Sequence, residues 1–474
     1  MGESDTTAQA RYRYDPARFV AECFTFRPNE QPAPYQLDAL NAFAEHKRVA
    51  VRGPHGLGKT ALASWVVLWG VLTSDDVKVV TTASAWRQLI EYLWPEIHKW
   101  YGRLRWDVIG RPALRRDQRL SLALKAGPSA AAFAVASKNA TFIEGAHAQR
   151  VIYVFDEAKG IPALTWDAAE GAFSTAGNAG AGEAYALAIS TPGAPSGRFY
   201  EISARRPGYE DWFPVHVTLE QAIRAGRLGQ DWADARRRQW GETSSVYQNR
   251  VLGEFAAEDE NSVIPLAWVE AAIERWHAWR ALENKGPFIG VGVDVARYGE
   301  DKTVLALMVG PAIATLRKFG KLSTMQTVGK VGGVLRAYNG KAVVDVVGIG
   351  AGVVDRLREQ NLGEIIAFSA GSRTDDLDRS GELGFVNMRS AAWWGLRESL
   401  DPANNPTLCL PPDNELIGDL TTPRWRVLSG GRIAIETKDE IRKRINRSTD
   451  CGDAVIQIVW GAYRSEVSLG IIED

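Results

Sequence analysis

Short apolar runs alternate with segments of helical period along the first half of the chain. Val77–Thr82, Val151–Phe155 and Ala184–Ser190 are β-branched or aliphatic runs that read as buried strands. Leu120–Leu124 and Ala132–Ala136 read as shorter ones, and Arg48–Arg52 as a strand after a helix opened by Pro34-Tyr35-Gln36. Lys59–Leu72 and Ala85–Trp100 carry helical patterns between them. Strands alternating with helices predict a mostly parallel sheet covered on both faces, an α/β fold.

The pattern restarts after the acidic, polar stretch Glu254–Pro265. Leu266–Leu282 is a short amphipathic helix. Pro287 opens a second sheet, with Ile289–Val295 and Thr303–Val309 as a hairpin and Ala312–Phe319 as a third strand. A helix (Thr324–Tyr338), a buried strand (Lys341–Val347), a helix (Gly352–Gln360), a strand (Gly431–Thr437) and a helix (Asp450–Tyr463) follow. The predicted organisation is an arm at 1–30, a first domain at 31–255, a bridging segment at 256–286 and a second domain at 287–474.

Composition narrows the function classes. A chain of 474 residues exceeds one core and predicts two or three domains. The net charge of −1 gives no global attraction to nucleic acid, so any such contact must be a local patch. Cys23, Cys409 and Cys451 form no CxxC or Cys/His cluster, which argues against structural zinc and fits a reducing compartment. The longest apolar run, Ala61–Leu72, is too short to span a bilayer, and the polar N-terminus lacks a signal-peptide core, so no membrane role is expected.

The first chemical signal is Gly53-Pro54-His55-Gly56-Leu57-Gly58-Lys59-Thr60, between a short strand and a long helix. In GxxxxGK[ST] the backbone N–H groups face phosphate oxygens, the lysine neutralises β- and γ-phosphates and the threonine hydroxyl serves Mg²⁺. Asp156 ends an apolar strand, where it would hold Mg²⁺, and Glu157 beside it would polarise the attacking water. Gln36 is placed to read the adenine edge. Ser190-Thr191 is placed to sense the γ-phosphate, and Thr81-Thr82 ends a third strand. Arg52 and Arg150 are both candidates for an arginine finger. This set reads as an ATP motor using ATP and Mg²⁺.

The second signal is a group of aspartates from distant segments: Asp294 in Ile289-Gly-Val-Gly-Val-Asp294, Asp345 in Ala342-Val-Val-Asp345, and Asp450 and Asp453 opening a helix. A carboxylate in an apolar strand is costly unless paired or metal-bound. Hard oxygen ligands suit Mg²⁺ or Mn²⁺, and two such ions would support phosphodiester cutting. The alternative is pairing with a lysine or arginine. Asp301 would support the site or cap its turn. Arg236-Arg237-Arg238 and Arg442-Lys443-Arg444…Arg447 are basic clusters, the latter just before Asp450.

With these motifs in order, the chain resembles the large terminase subunit of tailed bacteriophages over about residues 30–465. The resemblance rests on Pro34-Tyr35-Gln36, the phosphate loop, Thr82-Ala-Ser-Ala-Trp-Arg-Gln88, Phe155-Asp-Glu-Ala158 and Ser190-Thr-Pro192. It continues in Gly292-Val-Asp294, Asp345-x-x-Gly348, Phe385-x-Asn387-x-Arg389 and Ser448-x-Asp450-x-x-Asp453. It implies an ASCE-type P-loop packaging ATPase followed by an RNase H-like nuclease. It implies a ring of subunits on the portal protein of a procapsid, a small terminase subunit as partner, and action on concatemeric double-stranded DNA in the host cytoplasm. The implied catalytic groups are Glu157, Asp294, Asp345 and Asp453, Asp453 being favoured over Asp450 as third ligand. Phe142-Ile-Glu144-Gly145 carries glutamate where some relatives carry a trans arginine. A P-loop translocase with a non-cutting RNase H-like module is the alternative reading. An assembly protein that binds nucleotide only to dock is a further one, which Glu157 argues against.

Overall fold

The computed structural model describes residues 10–137, 148–176, 182–256, 261–296, 302–320, 322–428, 431–445 and 447–469. Asp301 and the 142–145 stretch lie outside them. The chain divides into two compact units: Met1–Asp234 with Tyr247–Ala257, and Ala235–Val246 with Glu258–Asp474.

In the first unit the described strands are β1 (Arg48–Arg52), β2 (Asp76–Ala83), β3 (Arg119–Leu120), β4 (Ala123–Lys125), β5 (Ser129–Ala134), β6 (Arg150–Asp156), β7 (Glu183–Ser190) and β8 (Phe213–His216). They lie in the order β3-β4-β5-β2-β6-β7-β1-β8. β5, β2, β6, β7, β1 and β8 run parallel, and β3 and β4 add an antiparallel edge. One strand, β7, separates the phosphate-loop strand β1 from the acidic strand β6, which is the ASCE-type order.

β6 shows why the sheet is covered twice. Ile152 and Val154 enter a cluster with Trp65, Trp69 and Phe43 on one face. Val151, Tyr153 and Phe155 enter a cluster with Trp166 and Trp212 on the other. The period of two thus delivers alternate side chains to two cores. The helix Lys59–Leu72 is apolar on all sides and buries every residue from Leu62 to Leu72.

In the second unit β9 (Phe288–Asp294), β10 (Lys302–Val309), β11 (Ala312–Gly320), β12 (Lys341–Asp345) and β13 (Glu364–Phe368) form a sheet of order β11-β10-β9-β12-β13. β9, β10 and β11 are antiparallel neighbours, while β12 runs parallel to both β9 and β13, the RNase H-like arrangement. Val291 and Val293 face helices Thr324–Ala337 and Gly350–Glu359. On the opposite face lies the helix Asp450–Leu469. A Cβ at Gly292 would sit 2.0 Å from Ala454 O and 2.9 Å from Ile458 N, so only glycine lets that helix lie directly on β9. β14 (Gly384–Phe385), β15 (Trp425–Leu428) and β16 (Arg432–Ile435) make a smaller sheet.

The structure differs from the expected boundaries in three places, the first being that 258–286, expected within the bridge, belongs to the second unit. The described part of the 1–30 arm is integral to the first unit: the helix Pro16–Cys23 buries Phe19, Val20 and Cys23, and Trp69 Nε1 donates to Tyr12 O at 2.8 Å. Residues 235–246, expected in the first domain, belong to the second unit, where Trp240 Nε1 donates to Asn414 O at 2.8 Å. Ala85–Trp100 is not one regular helix. Pro95 has no N–H to donate, and the turn before it, Leu89–Leu93, widens to a π turn.

Candidate functional site

The C-terminal ends of the parallel strands place the first set of residues. Register pairs Arg52 with Ser190 and Asp156 with Ile189, so the phosphate loop, Asp156-Glu157 and Ser190-Thr191 leave neighbouring strands on one edge. Gly58, at φ 73°, turns the loop into the helix starting at Lys59. A Cβ on Gly53 would meet Leu57 Cδ1 at 2.5 Å and Val217 O at 2.8 Å, so the loop's first position admits only glycine. His55 N donates to Arg250 O at 3.0 Å, while the side chain of His55 and Gly56 are exposed.

Lys59 curls back on this loop. Its Nζ donates to Pro54 O at 2.6 Å, Gly53 O at 3.3 Å and Thr191 Oγ1 at 3.2 Å. Burial lowers its pKa to about 8, against the pull of Glu157 and Asp156. Burial likewise raises Asp156 to about 7; repulsion from Glu157 adds to this, and the Glu157 N–H and Lys59 oppose it. For both groups desolvation outweighs what their protein partners return. A pocket with that balance suits a polyanion and a cation together. Glu157 stands at φ 46°, ψ 51°, a left-handed conformation that costs a non-glycine residue about 1–3 kcal/mol. Its carboxylate accepts from Ser190 Oγ at 3.1 Å, which ties the candidate base to the β7 end.

Gln36 sits elsewhere than at an open base-reading position. It is 2% exposed, donates through Nε2 to Gly58 O at 3.0 Å and accepts the Ala33 N–H through Oε1 at 2.9 Å. Tyr35 OH donates to Leu57 O at 2.9 Å. The pair braces the loop from beneath. Of the two arginine-finger candidates, Arg150 is fully buried at the start of β6, donating to Glu183, Ser74 and Arg13 O. Arg52 is half-buried beside the loop and pairs with Glu254 at 2.6 Å.

In the second unit Asp294 ends β9 and Asp345 ends β12. The parallel register between the two strands runs as far as Val344 paired with Val293, and each aspartate is the next residue on its strand. Asp453, one turn into the helix Asp450–Leu469, is brought to Asp294 by Lys438. Lys438 Nζ stands 2.9 Å from Asp294 Oδ1 and 3.2 Å from Asp453 Oδ2. Thr449 Oγ1 at 2.7 Å and Trp393 Nε1 at 3.2 Å also donate to Asp453. Asp345 accepts from Val347 N at 2.9 Å. Asp450 is turned to other donors, Lys302 N at 2.8 Å and the Ser448 hydroxyl.

Burial is the largest influence on each of these carboxyls. It raises Asp294, with Asp453 and Asp450 adding repulsion against Lys438. It raises Asp345 as well. Burial pushes Asp453 in the same direction, but Lys438, Arg389 and Thr449 outweigh it and hold Asp453 below the usual range. Among the described residues no three His, Cys, Asp or Glu side chains stand close enough to share a metal ion. The donor chemistry nevertheless fits a hard cation, because Asp294 and Asp453 already converge on one cationic centre, the Lys438 ammonium.

Sequence reading missed Lys438, Thr449, Trp393 and Asp419. Asp419 is fully buried and accepts the N–H groups of Cys451 at 2.8 Å and Gly452 at 3.1 Å. It thereby caps the helix that carries Asp453. A lone lysine after a strand has no spacing that marks it, whereas Asp419 lies within an apolar helix, where a carboxylate is a warning.

No protein-family model matches the chain, and no curated protein sequence matches it. Solved structures are similar to it. The large terminase of a thermophilic bacteriophage is 12% identical, with 90% of this chain and 98% of that chain covered and a TM-score of 0.41. The complex of that terminase with ATP-γ-S gives the same identity and coverage, with a TM-score of 0.39. The nuclease domain of the large terminase subunit gp2 of bacterial virus Sf6 is 18% identical, with 42% of this chain and 98% of that chain covered and a TM-score of 0.36.

Proposed function

We propose that the chain is a phage or prophage DNA-packaging motor that hydrolyses ATP to move double-stranded DNA into a procapsid and cuts the concatemer by two-metal chemistry. The observation that carries this reading is the pairing of two chemically separate acidic centres, one in each unit. Asp156 and Glu157 stand beside a phosphate loop in the first, and Asp294 and Asp453 converge on a cation in the second.

In the first unit, the loop N–H groups and Lys59 bind the triphosphate, and Lys59 exchanges its loop carbonyls for phosphate oxygens. Thr60 and Asp156 are the residues that would hold a Mg²⁺ accompanying the nucleotide. Glu157 orients and deprotonates the attacking water, and its bond from Ser190 links that event to the end of β7. In the second unit, Asp294, Asp345 and Asp453 are the residues that would hold divalent ions, with Asp450 beside them. Two bound ions supply an activated water and stabilise the leaving 3′-oxygen. The chain's own part is to present buried carboxylates on rigid strand and helix ends. A ring of copies on a portal protein, a small terminase subunit and the host cytoplasm complete the proposal.

The test is a pair of assays on the full chain. Asp294→Asn is expected to abolish Mn²⁺-dependent plasmid cutting and to leave ATP turnover at the parental rate; cutting that persists would place the nuclease elsewhere. A second reading, a P-loop translocase whose RNase H-like module does not cut, is favoured by Lys438 filling the space between Asp294 and Asp453. Duplex-stimulated ATP turnover without any cutting by the parental chain would select it.

A further inference from the structure

Two basic clusters that lie far apart in sequence share one cavity of about 1190 Å³ in the second unit. Arg237 and Arg238 come from the last turn of the helix Gln230–Trp240, and Arg442, Lys443 and Arg444 from the last turn of the helix Lys438–Ile445. All five are exposed. A cation in a last helical turn offsets the helix dipole, which accounts for one or two such residues per helix. It does not account for both helix ends opening into the same space. The lining holds eight cationic side chains against three carboxylates. One of those carboxylates, Glu415, is held by Lys302 and Lys318 at 3.0 Å each, and another, Asp450, by Lys302 N and Ser448. Arg444 and Arg447 are likewise met by Glu436 and Asp419 from outside the lining, and the cavity keeps a net positive balance.

We propose that this cavity is the groove that seats the phosphate backbone of duplex DNA and feeds it to the carboxylate centre; the proposal rests on the nuclease reading above. The link is the helix Lys438–Ile445. Its first residue reaches Asp294 and Asp453, and Lys443 lies roughly 8 Å further along the same axis. Asp450 lines the cavity and begins the helix that carries Asp453. A strand gripped by Arg442 and Lys443 would have a phosphodiester within a few nucleotides of the acids. Guanidinium groups suit this role because they pair with phosphate oxygens bidentately.

Among the described residues the lining has no aromatic side chain, and its apolar members are Ala235 and Ile445. Single-strand sites stack bases on aromatic rings, and protein interfaces bury apolar anchors; this cavity offers neither. A duplex, recognised through its backbone alone, asks for neither.

The experiment uses the full chain carrying Asp294→Asn, so that binding is read without cutting. Arg237→Gln, Arg238→Gln, Arg442→Gln and Lys443→Gln are added together, and anisotropy of a labelled duplex is followed across salt. The expected result is a loss of affinity of at least about tenfold and a fall in the log–log salt slope of about 0.9 for each phosphate contact removed. In the cutting-competent chain the same four changes should raise KM for duplex while kcat and ATP turnover hold. Parental affinity and slope in the fourfold variant would overturn the groove, even with cutting intact. Equal loss of affinity for a single strand of the same length would overturn the duplex assignment. A chain that never cuts, yet loses duplex binding on these changes, would sink the nuclease reading and leave the groove standing.

Discussion

Lys438 and Asp294 meet at 2.9 Å across 144 residues of sequence, and their ion pair joins a strand end to the helix-borne Asp453 on the other side of the same ammonium. The carboxylate is nearly enclosed and the ammonium about one-third exposed, with side-chain exposures of 6% and 35%. Breaking the pair leaves the buried carboxylates uncompensated, at a cost below the roughly 3–5 kcal/mol of a fully buried pair because solvent screens the ammonium. Lys438→Ala is therefore expected to lower the melting temperature without divalent ions, and Mn²⁺ should raise it by more than in the parental chain. A Mn²⁺ response no larger than parental would show that the acids and the ammonium do not compete for one place.

Glu157 is expected to act in hydrolysis and not in binding. Glu157→Gln keeps the shape and the acceptor for Ser190 Oγ but removes the base. Turnover should fall about 10²–10⁴-fold, with nucleotide affinity, read by a fluorescent analogue, kept within a few-fold. Unchanged turnover would remove Glu157 from the mechanism.

Gln36 braces the loop through Gly58 O, and its amide oxygen is taken by Ala33 N. Gln36→Leu should therefore raise KM for ATP and for GTP alike. A rise confined to ATP would mean that the amide leaves the loop and reads the adenine.

Asp419 caps the helix bearing Asp453 and also receives Arg447. Asp419→Ala leaves two N–H groups unmet and takes its carboxylate from the Arg447 guanidinium, which keeps the carbonyls of Gln239 and Ser448. The expected loss is about 3 kcal/mol in chemical denaturation. Mn²⁺ affinity, read by calorimetry, should weaken at the same time, because Asp453 is no longer held in register. Denaturation at the parental midpoint would show that the cap is redundant.

The strands and the phosphate loop were legible because they depend on local rules. β6 is apolar at most positions and runs into an acidic pair, and the loop's Gly53 answers to close approaches at Leu57 and Val217. That Asp294 and Asp345 end neighbouring strands is not local information, since register between β9 and β12 is a tertiary property. The pairing of a strand aspartate with a lysine was an alternative on chemical grounds, but nothing local singles out Lys438. For Gln36, expected at the adenine edge, proximity to a nucleotide loop does not say which atoms the amide serves; in this structure it is buried against Gly58 O and Ala33 N.

The chain crosses between its units three times, at Asp234/Ala235, at Val246/Tyr247 and again after Ala257. Neither unit is a continuous stretch, so no single proteolytic nick can release either one whole. A fragment started at residue 258 would forfeit Arg237, Arg238 and the Trp240 ring seated over Gly418. Separating the two units by truncation would thus remove part of the second unit's own basic cavity, and weak duplex binding by such a fragment would testify to the missing insert before it testified against the proposed groove.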